Sequence, residues 1–242
     1  MCYYIKNNVD VAALREKYKT MAEEAMAKIK FYNVSGFAHP QLPVLTQGNR
    51  KEFQLYYWGL IPAWCPDEAK AGELSNMALN AKAETIFEKP MFRESIIRRR
   101  CILPVNGFYE WREENKIKYP YFIYPKNGGL FTFGCISDTW ADKHTGEILN
   151  TFSIITTRAN PVMETIHNKK KRMPLLLDDA GWQPWLDNSA SKEEIIKLMK
   201  PAPDEWMGYH TISKAISRKE TDTNYEGIEA EVKYPELENR LF

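Results

Sequence analysis

Arg99-Arg100-Cys101-Ile102-Leu103-Pro104-Val105-Asn106-Gly107-Phe108-Tyr109-Glu110-Trp111 reads as two short apolar strands, Cys101 to Val105 and Phe108 to Trp111, pinched into a hairpin by Pro, Asn and Gly. Its anomaly is Glu110. Strand alternation sets Phe108 and Glu110 on one face and Tyr109 and Trp111 on the other, and a carboxylate buried among rings is costly unless it is paired. Two readings stand at this point: Glu110 points to solvent from a half-buried strand, or it is held inside for its chemistry.

Downstream, Tyr119 to Tyr124, Leu130 to Trp140 and Ile148 to Thr157 alternate apolar and polar residues. The turns Lys126-Asn127-Gly128-Gly129 and Lys143-His144-Thr145-Gly146 separate them, which predicts an antiparallel meander. Upstream, Phe53 to Trp58 is a further strand. Asp10 caps a helix expected from Val11 to Lys30, where Val11, Leu14, Tyr18, Met21, Ala25 and Ile29 share a face. Pro90 interrupts a helix over Phe87 to Arg98, and helices are also expected over Asp179 to Leu186 and Lys192 to Lys200. Trp206 to Ile216 reads as the last strand, and the polar, acidic-rich tail from 218 to 242 reads as loose. With no repeat, low-complexity tract or linker, residues 1–217 are expected to form one domain.

The 242 residues are 44% hydrophobic and 13% aromatic, enough for a sizeable core. No apolar run reaches the ~18 residues of a membrane span, and no charged-then-apolar leader opens the chain, so a cytoplasmic protein without membrane contact is expected. Cys2, Cys65, Cys101 and Cys135 lie more than 30 residues apart, which matches neither zinc ligand spacing nor a disulfide framework. Cys101 and Cys135 read as inert core thiols, and no metal or cofactor is expected. The net charge of only +1 does not announce a polyanion partner, so any nucleic-acid footprint must be local. Arg98-Arg99-Arg100 and Lys169-Lys170-Lys171-Arg172 are the candidates, each also readable as a solvated charge cluster.

Cys2 stands apart because an initiator Met before a small residue is generally removed, which leaves an amine and a thiol on adjacent carbons. The amine titrates near ~7.7–8.0 and the thiol near ~8.5, so both nucleophiles are partly available at neutral pH. Toward an aldehyde, the amine can form a Schiff base and the sulfur can close a five-membered thiazolidine on the same carbon. A cysteine at position 2 is more often incidental, and only other motifs give it weight.

Arg100-Cys101-Ile102-Leu103-Pro104 followed by Gly107-Phe108-Tyr109-Glu110-Trp111 resembles the signature of the SRAP family, the SOS response-associated peptidases that include abasic site processing proteins. Other stretches in family order are Met1-Cys2, Trp58-Gly59-Leu60-Ile61-Pro62-Ala63-Trp64, Asn80-Ala81-Lys82-Ala83-Glu84-Thr85, Thr156-Thr157-Arg158-Ala159-Asn160 and Ile166-His167 with Arg172-Met173-Pro174. The resemblance implies an α+β fold, a single domain whose antiparallel strands curl into a barrel-like core with flanking helices. It implies catalytic roles for Cys2, Asn80, Glu110 and His167, and DNA contacts from Trp64, Lys82, Arg98, Thr157 and Arg172. The implied partner is single-stranded DNA containing abasic sites, bound by a monomer.

The residues themselves fit these roles in different degrees. Trp64, on a Pro-containing loop, can wedge beside a gap in the base stack or simply plug the barrel. Asn80 offers two donors and an acceptor, suited to orienting the Cys2 amine or a sugar, yet it is also an ordinary turn residue. Lys82 stands where the family has arginine, keeping the charge and losing the bidentate fork. Glu84 reads as a structural salt-bridge partner or the cap of the next turn, Asn160 as the cap of a short helix through Ile166, and the hydroxyl of Thr157 suits a phosphate. His167, with an ordinary pKa near ~6.5, is a competent proton shuttle, and His210 is a weaker supporting candidate. Two departures stand out: Tyr3-Tyr4 replaces the family's Gly-Arg, and Asn168-Lys169-Lys170-Lys171 lengthens the gap after His167.

Three functions are thus carried forward. The first is a lyase-like trap that cross-links abasic DNA through a thiazolidine at Cys2 after loss of Met1. The second is an N-terminal-nucleophile cysteine peptidase or amidohydrolase that processes its own Met1. The third is a non-enzymatic binder of single strands, for which Cys2→Ala would change nothing.

Overall fold

In the long apolar strands alternate residues face two different cores, and a closed barrel satisfies both faces at once. The computed structural model describes residues 2–23, 26, 30–218 and 222–238. The strands are β1 (Tyr4–Asn7), β2 (Phe31–Ser35), β3 (Gln41–Thr46), β4 (Gln54–Trp58), β5 (Asn80–Lys82), β6 (Arg100–Val105), β7 (Gly107–Glu114), β8 (Ile117–Pro125), β9 (Phe131–Ala141), β10 (Ile148–Arg158), β11 (Arg172–Pro174), β12 (Leu176–Leu177) and β13 (Met207–Thr211). The helices are α1 (Val11–Tyr18), α2 (Glu68–Met77), α3 (Arg93–Arg98), α4 (Pro161–Ile166), α5 (Trp182–Trp185), α6 (Lys192–Leu198) and α7 (Pro235–Glu238).

Strands β10, β4, β3, β6 and β9 pair in that order, and β9 pairs back to β10, which closes a five-stranded barrel. A second sheet runs β13-β8-β7-β1-β2. Cys101, Leu103, Phe133, Phe152 and Ile154 pack with Ile5, Phe108 and Ile123 of that second sheet. Their strand neighbours Ile102, Ile136 and Ile155 pack instead with Leu14 of α1, Ile96 of α3 and Trp185 of α5. This is the expected α+β single domain with a barrel core, and Trp58 lies wholly inside it.

The expected hairpin between Cys101 and Trp111 does not form. Strands β6 and β7 never pair: β6 joins β3 and β9 in the barrel, while β7 joins β1 and β8 in the second sheet. Asn106 is a corner between sheets. Its N–H donates to Lys6 O at 3.1 Å, its Oδ1 accepts from Asn8 N at 2.7 Å, and Asn7 Nδ2 donates to Pro104 O at 2.7 Å. The meander likewise resolves into two hairpins, β7–β8 and β9–β10, one per sheet, with β10 also lying parallel to β4 and β5.

Glycine at 107 is required by proximity: a Cβ there would lie 2.5 Å from the Ile123 backbone O and 2.5 Å from the Phe122 ring. Gly107→Ala is therefore expected to destabilise the fold by about 1–3 kcal/mol, the usual range for overpacking. The measurement is the urea midpoint at unchanged m-value. A loss under about 0.5 kcal/mol, the scale of an ordinary surface change, would mean that the corner yields freely.

Three other expectations change. Helix α1 stops at Tyr18 because Lys19 takes a left-handed φ of 51°, and the chain then bridges to Lys51 through Met21, which is 66% exposed. Part of the expected remainder, including Ala25 and Ile29, lies outside the described residues. Arg100 belongs to no surface cluster: it is fully buried and donates to the carbonyls of Ile96, Ile97, Trp185 and Asp187. The described part of the tail is docked, with Ile228 and Leu237 buried, Val232 N donating to Thr211 O at 2.8 Å, and Tyr32 N donating to Asn224 Oδ1 at 2.8 Å. No described helix is long and apolar enough to cross a membrane.

Candidate active site

Cys2 leads into β1, which is laddered on both sides, pairing Tyr4 with Ser35 of β2 and with Tyr109 of β7. Running the antiparallel β1–β7 register one residue further sets Tyr3 opposite Glu110. Asn80 opens β5, which lies parallel to β10 with Asn80 opposite Ile154. From there its Nδ2 donates to the Cys2 carbonyl at 2.9 Å, and its Oδ1 is buried without a hydrogen-bond partner. The Cys2 side chain is fully buried. Burial, and then the nearby Glu110 carboxylate, push its thiol well above the ordinary range. A thiol partly ionised at neutral pH was expected; in this setting it is a neutral S–H that needs a base. Met1 lies outside the described residues.

Glu110 is buried on the face of β7 that also carries Phe108, which decides between the two readings of that strand. Loss of hydration raises its carboxyl to about 7. His167 follows α4, whose first turn is capped by Asn160 accepting from Met163 N at 2.9 Å. Its Nδ1 lies 3.5 Å from Glu110 Oε1 and 3.0 Å from Arg172 O. A carbonyl only accepts, so the ring proton sits on Nδ1 and Nε2 keeps a lone pair. Burial lowers the imidazole to about 4. It is neutral at pH 7, where an imidazole of ordinary pKa would be about a quarter charged.

The family model for SOS response associated peptidase (SRAP) matches residues 1–219. The chain belongs to the SRAP family. It is 34% identical over 178 residues to the abasic site processing protein YoqW of Bacillus subtilis, covering 73% of this chain and 76% of that one. It is 32% identical over 188 residues to the abasic site processing protein HMCES of Xenopus tropicalis, covering 69% of this chain and 54% of that longer one. A crystal structure of a Bacteroides thetaiotaomicron protein superposes with a TM-score of 0.90 at 37% identity, over 96% of this chain and all of that one.

Within this SRAP domain the remaining candidates fall into two neighbourhoods. Lys82, Thr157 and Arg172 meet where β5, β10 and β11 end side by side, with Lys82 opposite Thr156 and Arg172 opposite Arg158. Lys82 is exposed. Thr157 is buried, with its hydroxyl donating to Arg158 O at 3.0 Å. The Arg172 guanidinium lies 2.6 Å from Glu84, the expected salt bridge, and also bonds the Thr156 carbonyl. Trp64 is 54% exposed on its loop and Arg98 is exposed at the end of α3, and their chain neighbours Ala63 and Arg99 both bond Asp138. That carboxylate accepts from Ala63 N at 3.2 Å and pairs with Arg99 at 3.2 Å. Asp138 is opposite Thr151 on β10, five residues from Thr156 and so about 17 Å away along the strand. His210 faces away from this centre, its Nε2 bonding Glu229 O at 2.7 Å.

A cleft of about 610 Å³ opens over Glu110 and His167. Its walls include Tyr3, Trp111, Lys118, Lys170 and Arg218, none of which the motifs singled out as site residues. Lys170 had two sequence signals, the lengthened gap after His167 and the basic run Lys169-Lys170-Lys171-Arg172. Lys118 and Arg218 had none: Lys118 reads as an ordinary lysine just past the β7–β8 turn, and only tertiary folding brings Arg218 beside β7. Among the described residues no group of three or more His, Cys, Asp or Glu is placed to hold a metal ion.

Proposed function

We propose that this chain traps abasic sites in single-stranded DNA as a covalent thiazolidine on Cys2, once Met1 has been removed. What carries the reading is the buried Glu110 carboxyl 3.5 Å from the His167 imidazole under an open cleft, with Asn80 holding the Cys2 carbonyl at 2.9 Å and burial raising the carboxyl toward neutrality. The names of the SRAP relatives support abasic-site processing.

An abasic sugar is a cyclic hemiacetal, and opening it moves one proton from O1′ to O4′. A neutral imidazole with a free Nε2 accepts the first and returns it to the second. The Cys2 amine then adds to C1′, and protonated Glu110 gives its proton to the departing hydroxyl, releasing water and leaving an iminium. Glu110, now a carboxylate, takes the thiol proton as sulfur bonds to the same carbon, and the ring nitrogen ends neutral. One carboxyl thus serves as acid and then as base, which its value near neutrality allows. Asn80 fixes the Cys2 backbone and keeps an acceptor for the amine or a sugar hydroxyl. Lys82 and Arg172 supply charge for flanking phosphates, and Trp64 supplies a stacking face further along the strand.

A peptidase with Cys2 as nucleophile is less well served, because a buried thiol with a raised pKa holds little thiolate. The deciding measurement is intact mass after incubation with an abasic oligonucleotide. The expected species is the protein lacking Met1 plus the oligonucleotide, less one water. A species retaining Met1, or no adduct at all, would overturn the proposal.

A further inference from the structure

The residues that lengthen the gap between His167 and Arg172 form a fixed turn. Lys170 N and Lys171 N both donate to His167 O, at 3.2 and 2.8 Å, and Lys171 takes a left-handed φ of 49°. Asn168 pins this turn to β7 by both ends of its amide: Oδ1 accepts from Glu113 N at 3.1 Å and Nδ2 donates to Glu113 O at 2.8 Å. The turn is thereby anchored three residues along the strand from Glu110.

The three lysines leave the turn differently. Lys169 pairs with the Glu113 carboxylate at 3.3 Å and Lys171 with Glu164 at 3.7 Å. Lys170 has no ion pair among the described residues and borders the cleft with Glu110 and His167. Its charge reaches both buried groups, lowering the proton affinity of each. Across the cleft, Tyr4 is spent on an edge-on contact with Trp111, ring centres 5.2 Å apart, and offers no charge. The other cations at the rim are Lys118, Arg218 and the paired Lys169, while the rim carboxylate Glu113 is occupied by that same Lys169. An unneutralised ammonium held at the mouth of a cleft with this balance is a site for an anion.

We infer that the turn 168–171 is a phosphodiester-binding element, in which Lys170 holds the backbone phosphate next to the trapped sugar and Asn168 acts as the positioning residue. The inference rests on the trapping reading for the identity of its ligand. Its test uses a single-stranded oligonucleotide carrying a tetrahydrofuran residue, which has no aldehyde and so reports binding without cross-linking. By fluorescence anisotropy, Lys170→Ala is expected to weaken binding about fivefold at low salt and to flatten the slope of log K against log salt by about 0.7, one single-strand phosphate contact. Lys170→Arg should keep the slope. Asn168→Ala should weaken binding with every lysine still present. Lys143→Ala, in the exposed turn between β9 and β10 and away from the cleft, should match the parent.

Unchanged affinity and slope in Lys170→Ala, with a salt-dependent parent, would overturn the inference and leave the trap untouched. Conversely, a parent that forms no adduct with aldehyde-bearing DNA while Lys170→Ala still weakens tetrahydrofuran binding would overturn the trap and leave the phosphate element standing.

Discussion

Glu110→Gln is expected to slow adduct formation by about 10²–10⁴-fold, the span attributable to a positioned acid/base group, and at the same time to raise thermal stability at pH 8. The second half follows from linkage. The folded-state pKa of Glu110 is raised to about 7 by burial, so the folded protein binds the proton more tightly than the unfolded chain does. That contribution is present in full below the ordinary carboxylate range and is lost as pH rises through 7, at a cost on the order of a few kcal/mol. Glutamine has the same shape and no charge to desolvate, so the loss disappears.

His167 has the opposite sign: with its pKa lowered to about 4, it contributes stability above its ordinary value that is lost as pH falls. The two slopes oppose each other in mildly acidic solution, which leaves the Glu110 effect clearest on the alkaline side. Single-turnover adduct rates and melting curves at pH 5.5 and 8 check this. A rate within tenfold of the parent, or a variant no more stabilised at pH 8 than at 5.5, would remove Glu110 from its proposed role.

Cys2→Ala and Cys2→Ser are both expected to eliminate the heat-stable adduct while leaving a borohydride-trappable one. Each variant keeps the backbone that Asn80 holds at 2.9 Å and, after loss of Met1, keeps the amine, so the imine still forms. What is missing is the second nucleophile on the adjacent carbon, and without ring closure the imine hydrolyses. Denaturing gels with and without borohydride separate the two species. A heat-stable band surviving in Cys2→Ala would end the thiazolidine account. A band absent even with borohydride would place the failure earlier, at the amine.

Much of this centre was legible as local pattern. Phe108 to Trp111 reads as a strand with one misplaced carboxylate, and the structure buries that carboxylate 3.5 Å from His167. The cap at Asn160 and the salt bridge from Glu84 follow from residue chemistry as well. Strand partners were not legible, because pairing is decided by distant residues: the Pro-Asn-Gly stretch that suggests a tight hairpin is held open as a sheet corner by Lys6, Asn7 and Asn8, almost 100 positions away. Arg100 is indistinguishable in sequence from its exposed neighbour Arg98, since what buries it is a set of carbonyls at 96–97 and 185–187. The titration of Cys2 and His167 was equally hidden, since ordinary values belong to groups in water and both side chains are out of it. The tail misled because its acids dominated the reading, although Ile228, Ala230, Val232 and Tyr234 alternate with Glu229, Glu231 and Lys233, the pattern of the short stretch that bridges to Ile212.

The place of β1 between β2 and β7 has a mechanical consequence. A nucleic-acid strand joined to Cys2 would be hung on the leading end of an interior strand, so tension on it would run along the axis of β1. Such a load is shared by the ladders on both sides at once instead of unzipping them bond by bond, which makes the attachment point one of the hardest places in the molecule to pull apart.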